Sequence, residues 1–264
     1  MEVKVSIIIV NHFHSDLLFN NISSIVEKTK NISYEIILIN NTIDDMGIPK
    51  IKESFPDIIL INNRRKKGFS ENNNIGIRIS RGEKIFILNP DTYLGNNAIY
   101  ILYNYLKKNK MVGLCGPKLL YPDNSLQYSC RKFPTLKGTI LRRSPLRIFI
   151  SEENRGKDHL MQSWDHETTK KVDWMLGASL MIDKKVLFNV GLLDEKYFLY
   201  CEDIDISYQL KKNGLESHYV ADAIVYHEHQ KKSDKKLLSI NSYFHMKSMF
   251  YFLRKNNYYR NLIK

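Results

Sequence analysis

The sequence predicts an α/β fold: a mostly parallel central sheet, doubly wound, with helices on both faces. Three observations carry that expectation. Near-continuous β-branched runs such as "VKVSIIIVN" at 3–11 read as strands buried on both faces. Segments with apolar residues at helical spacing lie between such runs. The two kinds alternate, β-α-β-α-β-α-β-α over the first half, as parallel strands joined by crossover helices must.

The elements follow in order. After the first strand, "DLLFNNISSIVEK" (16–28) carries a helical apolar stripe. "YEIILIN" (34–40) and "DIILINN" (57–63) give the second and third strands. "ENNNIGIRISR" (71–81) reads as a helix despite its polar start, "KIFILN" (84–89) as the fourth strand, and "NAIYILYNYLKKN" (97–109) as another helix. Residues 128–170 show weak periodicity and predict an irregular, mobile excursion within the same domain. Order returns with a strand around 178–182 and a short helix around 184–189. A longer helix runs from near Glu202 to Gly214. "SHYVADAIVYHEHQKKS" predicts a late strand with a His-rich exit, and 231–264 a basic, aromatic C-terminal helix.

Composition narrows the partners. The chain has 264 residues, 43% of them hydrophobic, enough for a substantial core. The formal net charge of +12 favours an anionic partner: nucleic acid, an acidic membrane or a phosphorylated substrate. A lysine-, asparagine- and isoleucine-rich composition accounts for part of it. Three widely spaced cysteines, Cys115, Cys130 and Cys201, fit a reducing cytoplasm better than a disulfide framework or a zinc site. No run of about 18 apolar residues predicts a membrane span, and "MEVKVSIIIVNHF" lacks the features of a signal peptide.

Ligands of such sheets bind beyond the carboxyl ends of the strands, and several polar features sit there. Asp91 follows the fourth strand; it suits a divalent cation bridging to a diphosphate, or a turn behind Pro90. Glu202, Asp203 and Asp205 crowd a helix start, where acidic residues cap, and where a carboxylate also stays ionised as a general base. His227 and His229 alternate, as a metal site or as surface histidines. The basic run in "NNRRKKGFSENNNIG" (62–76) leads into a helix start, as a phosphate cradle or a solvated charge run. Neither a Walker loop nor a dinucleotide fingerprint is present.

Taken together, "VSIIIVN", "GFSENNNIGI", "ILNPDT", "WMLGASLMI", "VGLLDEKYFLYCEDIDISYQLKKNG" and "VYHEH" resemble, in order, the motifs of family 2 glycosyltransferases, above all their rhamnosyltransferase-like branch. The likeness covers roughly 3–230 and is most specific from Gly177 to Gly214. It implies a GT-A fold with a Rossmann-like sheet: one domain over 1–230, with a nucleotide-sugar half (1–95) and an acceptor half (96–230). It implies inversion at the anomeric carbon by direct displacement. Residue by residue, it implies Asp91 as metal ligand with His227, and Mn2+ or Mg2+ as cofactor. It implies Asp203 as base with Glu202 beside it. On the nucleotide-sugar side it implies Asn11, Asn40, Asn41, Asp45, Gly68, Asn73 and Asn89. On the acceptor side it implies Trp174, Gly177, Ala178, Asp194 and Glu195. Two departures stand out. Asn40 and Asn41 occupy the place of a base-contacting aspartate, and Gln209 that of a helix arginine.

The resemblance implies a UDP-hexose or dTDP-rhamnose donor and a glycan or lipid-linked acceptor, with no nucleic acid. It places the protein in the cytoplasm, with peripheral contact to an anionic membrane. The rival readings are a nucleotidyltransferase and a non-catalytic polyanion binder. The first lacks its glycine-rich basic loop after strand one; the second lacks basic–aromatic interleaving outside the tail.

Overall fold

The computed structural model describes residues 2–42, 44–134, 159–228 and 240–257. The elements are β1 (Val5–Asn11), α1 (Ser15–Lys28), β2 (Tyr34–Asn40), α2 (Ile48–Ser54), β3 (Ile59–Asn62) and α3 (Phe69–Ile79). Next come β4 (Lys84–Leu88), β5 (Thr92–Leu94), α4 (Ala98–Lys108), β6 (Val112–Leu120), β7 (Cys130–Arg131), β8 (Lys170–Val172) and β9 (Trp174–Met175). The chain continues through β10 (Ser179–Asp183), α5 (Lys184–Asn189), α6 (Glu202–Lys212), β11 (Glu216–His227) and α7 (Ile240–Lys255).

Nine strands form one sheet, in the order β3-β2-β1-β4-β10-β6-β11-β5, with β8 added on β11. Strands β1 to β4 pair in parallel. Strand β10 runs antiparallel between β4 and β6. A separate two-stranded ladder joins β7 to β9. The period-2 pleat sends alternate residues to opposite layers. Ile7 and Ile9 pack with Leu18, Ile22 and Leu102 of α1 and α4, whereas Ile8 packs with Ile77, Ile206 and Leu210 of α3 and α6. A third cluster, with Trp174, Tyr197, Ile204, Tyr208 and Phe252, joins α7 to the outer side of α6.

Four expectations need correction. The third strand spans Ile59–Asn62, and the following helix starts earlier, at Phe69. The strand β6 carries no sequence signal at all. The segment 128–170 is not irregular throughout: Cys130–Arg131 pairs with β9, and Lys170–Val172 joins the main sheet. Residues 135–158, His229 and the tail flanks 229–239 and 258–264 lie outside the described residues. The three cysteines are buried and none forms a disulfide with another, and burial pushes the Cys130 thiol up to about 12.

Candidate active site

The parallel register aligns three asparagines at the carboxyl ends of β1, β2 and β3: Asn11 beside Asn40, and Asn40 beside Asn62. Their amides form a ladder. Asn11 Nδ2 donates to Asn40 Oδ1 (3.1 Å) and Asn40 Nδ2 to Asn62 Oδ1 (2.9 Å). Asp45 accepts from Asn11 Nδ2 at 2.8 Å and from the Gly47 amide at 3.1 Å. Asn41 holds the basic loop, with its side chain bonded to both the N–H and the carbonyl of Lys67. Within that loop Arg65 and Lys67 pair with Glu71, so part of the basic run is neutralised, while Arg64 and Lys66 are exposed. Gly68 meets the Phe198 backbone so closely that a Cβ would lie 2.8 Å from Phe198 Cα; this glycine lets α3 start against that loop. Asn73 is buried, its Nδ2 bonded to Phe69 O and its Oδ1 without a hydrogen-bond partner.

Asp91 is set by a side chain the sequence did not announce. Asn21, on the buried face of α1, donates to Asn89 O (3.0 Å) and Thr92 O (2.8 Å), spanning the turn. The Asn89 amide donates to Ala178 O, so the turn is also fixed to the strand entering β10. The signal was present: Asn21 is a polar residue among Leu18, Ile22 and Ile25 on an apolar stripe. Asn21→Leu should unfold about 1–3 kcal/mol more easily, since the buried Thr92 carbonyl loses its amide donor and the turn loses its tie to α1. It should also weaken Mn2+-dependent nucleoside diphosphate binding. Unchanged affinity by calorimetry would confine Asn21 to a purely structural part.

Burial pushes the Asp91 carboxyl up, but His227 outweighs it, and the net shift is below the usual range. His227 Nε2 lies 3.4 Å from Asp91 Oδ1, and its Nδ1 lies 2.7 Å from Gln127 Oε1. An amide oxygen only accepts, so in its neutral form the His227 ring carries its proton on Nδ1 and turns Nε2 toward Asp91. Asp91 Oδ1 is buried with no hydrogen-bond donor among the described residues. A carboxylate oxygen and the nitrogen of a neutral imidazole, turned toward each other, are ligand types that a divalent cation accepts. Among the described residues no third His, Cys, Asp or Glu joins them. The remaining ligands would be substrate oxygens and water, as Mg2+ and Mn2+ accept.

Across the crevice stand Glu202 and Asp203. Tyr200 and Cys201 both adopt left-handed backbone (φ 69°), a strained turn costing about 1–2 kcal/mol per residue. It delivers both carboxylates into the first turn of α6. Asp203 Oδ2 accepts from the Gly177 amide (3.1 Å) and Oδ1 from the Ile204 amide (2.8 Å). Burial pushes both carboxyls up. The charge of Asp203 pushes Glu202 further, whereas backbone N–H groups and Arg131 pull Asp203 back. Asp203 is therefore the member that ionises first. Glu202 is buried with Oε2 unbonded. A Cβ on Gly177 would lie 3.7 Å from Asp203 Oδ2, so the missing side chain leaves space beside that oxygen.

The remaining acceptor-side candidates are committed elsewhere. Trp174 is buried and its indole N–H donates to Lys132 O. Ala178 is buried, with its carbonyl on Asn89. Glu195 accepts from Asn74 and Arg78. Asp194 accepts from Tyr251 and Lys255. Lys255 also pairs with Asp205 at 2.6 Å, and Gln209 bonds to Asn256. The cation absent at position 209 thus reaches α6 from α7.

A segment missed in the aperiodic region links the two centres. Gln127 touches His227, Leu176 N donates to Ser129 O, and Arg131 pairs in register with Trp174.

Solved structures of similar fold include GalNAc-T7 with UDP, GalNAc and Mn2+ (TM-score 0.69, 16% identity, 96% of this chain, 48% of that one). Another is the mannosyltransferase PcManGT from Pyrobaculum calidifontis with GDP-Man and Mn2+ (TM-score 0.59, 16% identity, 88% of this chain, 59% of that one). Both likenesses concern the fold, which is of the GT-A type. In sequence, the chain is 28% identical to the Escherichia coli (strain K12) rhamnosyltransferase WbbL, over 95% of this chain and 93% of that protein. It is also 28% identical, over 64% of its length, to the Mycobacterium tuberculosis N-acetylglucosaminyl-diphospho-decaprenol L-rhamnosyltransferase, of which it spans 54%. The model of the family described as glycosyltransferase like family 2 matches residues 3–239, and the chain belongs to that family.

Proposed function

We propose that the protein is an inverting transferase that moves a sugar from a nucleoside-diphosphate donor, dTDP-rhamnose or a UDP-hexose, to a hydroxyl of a glycan or lipid-linked glycan. The observation that carries this reading is the pair of unlike centres: an ionised Asp91 with His227 on one side, and a buried Asp203 of raised pKa on the other. The likeness to rhamnosyltransferases supports rhamnose as the sugar.

Asn11, Asn40, Asn41, Asp45, Gly68 and Asn73 shape the nucleotide side. Asp91 and His227 would hold a divalent cation, with Gln127 orienting the imidazole. Held there, the cation would supply positive charge against that of the departing diphosphate. Asp203 takes the proton of the acceptor hydroxyl as that oxygen attacks the anomeric carbon. Gly177 orients the Asp203 carboxylate through its amide and leaves room for the hydroxyl. Residues 1–95 form the donor half of this reading and 96–230 the acceptor half. A thermal-shift panel of UDP, dTDP and GDP, each with and without Mn2+, tests it. A Mn2+-dependent rise with UDP or dTDP is expected; no rise with any nucleoside diphosphate sinks the reading.

The surface of α7 supports peripheral membrane attachment on the cytoplasmic side. No helix among the described residues is long and apolar enough to cross a bilayer. The inner side of α7 packs through Phe252 and Ser248. Its outer side exposes Tyr243 (57%), Met246 (55%) and Phe250 (61%) beside Lys247 and Arg254. Each basic residue near an anionic surface contributes about 1 kcal/mol, screened by salt. Co-sedimentation with anionic vesicles, lost in high salt, is expected. Equal binding to neutral vesicles would replace electrostatics by apolar insertion, and no binding would remove the membrane.

A further inference from the structure

Arg131 is a half-buried cation on β7 beside the crevice residues. The exposed arginines Arg65, Arg78 and Arg81 each have a glutamate partner. Arg131 is far more enclosed, yet among the described residues no carboxylate stands within ion-pair distance of it. Its Nη1 donates to Tyr128 O and to Cys130 O (2.9 Å), which fixes the guanidinium on its own strand. Nε and Nη2 find no acceptor among the described residues. Asp203 acts on the guanidinium only from beyond ion-pair distance, so the cation is incompletely compensated in the free protein. Burial accordingly pulls its pKa down.

The position is informative. Arg131 faces Trp174 in the β7–β9 ladder, and Trp174 lies three residues before Gly177, whose amide holds Asp203. Asp203 is the carboxylate whose charge acts on the guanidinium. Gln127, at the other end of the same segment, belongs to the cation pair. Arg131 therefore sits on the Asp203 side of the segment and Gln127 on the His227 side. A planar fork with two unspent donors matches a phosphate better than a point charge would.

We propose that Arg131 binds a phosphate of the acceptor, so that the acceptor is a phosphate ester whose attacking hydroxyl lies on Asp203. This rests on the reading of Asp203 as the base. The acceptor phosphate gives Arg131 a direct ion-pair partner, and it sets which hydroxyl is presented.

The test uses enzyme saturated with Mg2+ and the nucleoside diphosphate that stabilises it most. A hexose 1-phosphate and inorganic phosphate are then titrated by calorimetry, with free hexose as control. Wild type should bind both phosphates as a second ligand and the free hexose at least tenfold more weakly. Arg131→Gln should lose the second phosphate by tenfold or more and keep nucleoside diphosphate affinity; Arg131→Lys should fall between. Should Arg131→Gln fail to fold, Arg131→Lys alone decides, because its charge remains while the fork is gone. In turnover, Arg131→Lys should raise KM for a phosphorylated acceptor and change kcat little. A short-chain lipid diphosphate sugar and a water-soluble polyol phosphate distinguish the two sources of that phosphate. Absence of a second phosphate in wild type overturns the proposal. So does a variant that only moves the pH–rate profile upward with phosphate affinity intact, since Arg131 would then act on Asp203 alone. Loss of nucleoside diphosphate binding in wild type would instead strike the proposed function.

Discussion

Asp203→Asn should bind donor almost normally and lose transfer by about 10²-fold or more, the scale of a missing general base. An asparagine oxygen still accepts from the Gly177 or Ile204 amide, so the local geometry survives. It takes no proton at neutral pH. The wild-type rate should fall as pH drops through about 6, because the raised pKa brings the protonated, inactive form closer to neutrality than in an ordinary aspartate. The variant's residual rate should lack that limb. The stability sign is also fixed. A folded pKa above the unfolded one means that folding weakens as pH rises through this range, when a buried charge must form. The variant should therefore melt higher than wild type above that pH, as active-site substitutions that relieve strain do. Wild-type turnover in Asp203→Asn would reduce this carboxylate to a helix cap and shift attention to Glu202.

Asp91→Ala should abolish the Mn2+ dependence of nucleoside diphosphate binding and weaken that binding by roughly 10–100-fold or more, since even supporting residues of metal sites cost that much. Gln127→Leu is the graded companion. It leaves both ligands in place and frees the imidazole from its fixed tautomer, so a smaller loss is expected. Calorimetry with and without Mn2+ reads both. Identical affinity and metal dependence in Asp91→Ala would return the residue to a turn behind Pro90.

How much of this was legible depended on how each element earns its burial. Strands β1 and β2 are apolar on both sides and announce themselves. Strand β6, "VGLCGPKLL", does not, although it lies in the middle of the sheet. Gly113 lets the Leu210 side chain of α6 pack close, since a Cβ there would lie 2.8 Å from its Cδ2, and Gly116 does the same for the Met175 thioether. Pro117 is tolerated because pairing with β10 involves Leu114 and Cys115, and the ladder to β11 is irregular just beyond Val220. Tertiary contacts thus chose residues that local propensity reads as a loop. At the site, Asp91 and Asp203 stood out because a carboxylate beside an apolar element is conspicuous. Their supports did not. Gln127 and Arg131 lie in a segment without period, and Asn21 hides in a helix. Asp194 and Glu195 look like Asp203 on paper, but ion pairs with Lys255 and Arg78 occupy them.

The place of β10 has a mechanical consequence. Its five residues pair with β4, Ser179 opposite Leu88 through Asp183 opposite Lys84. One end of this ladder leads to Asp91 and the other strand leads back to Gly177. The spacing between Asp91 and Asp203 is therefore tied to backbone hydrogen bonds. A hinge between β4 and β10 would tear this ladder. Under the proposed function, a donor of different size would be accommodated by loops while Asp91 and Asp203 keep their span.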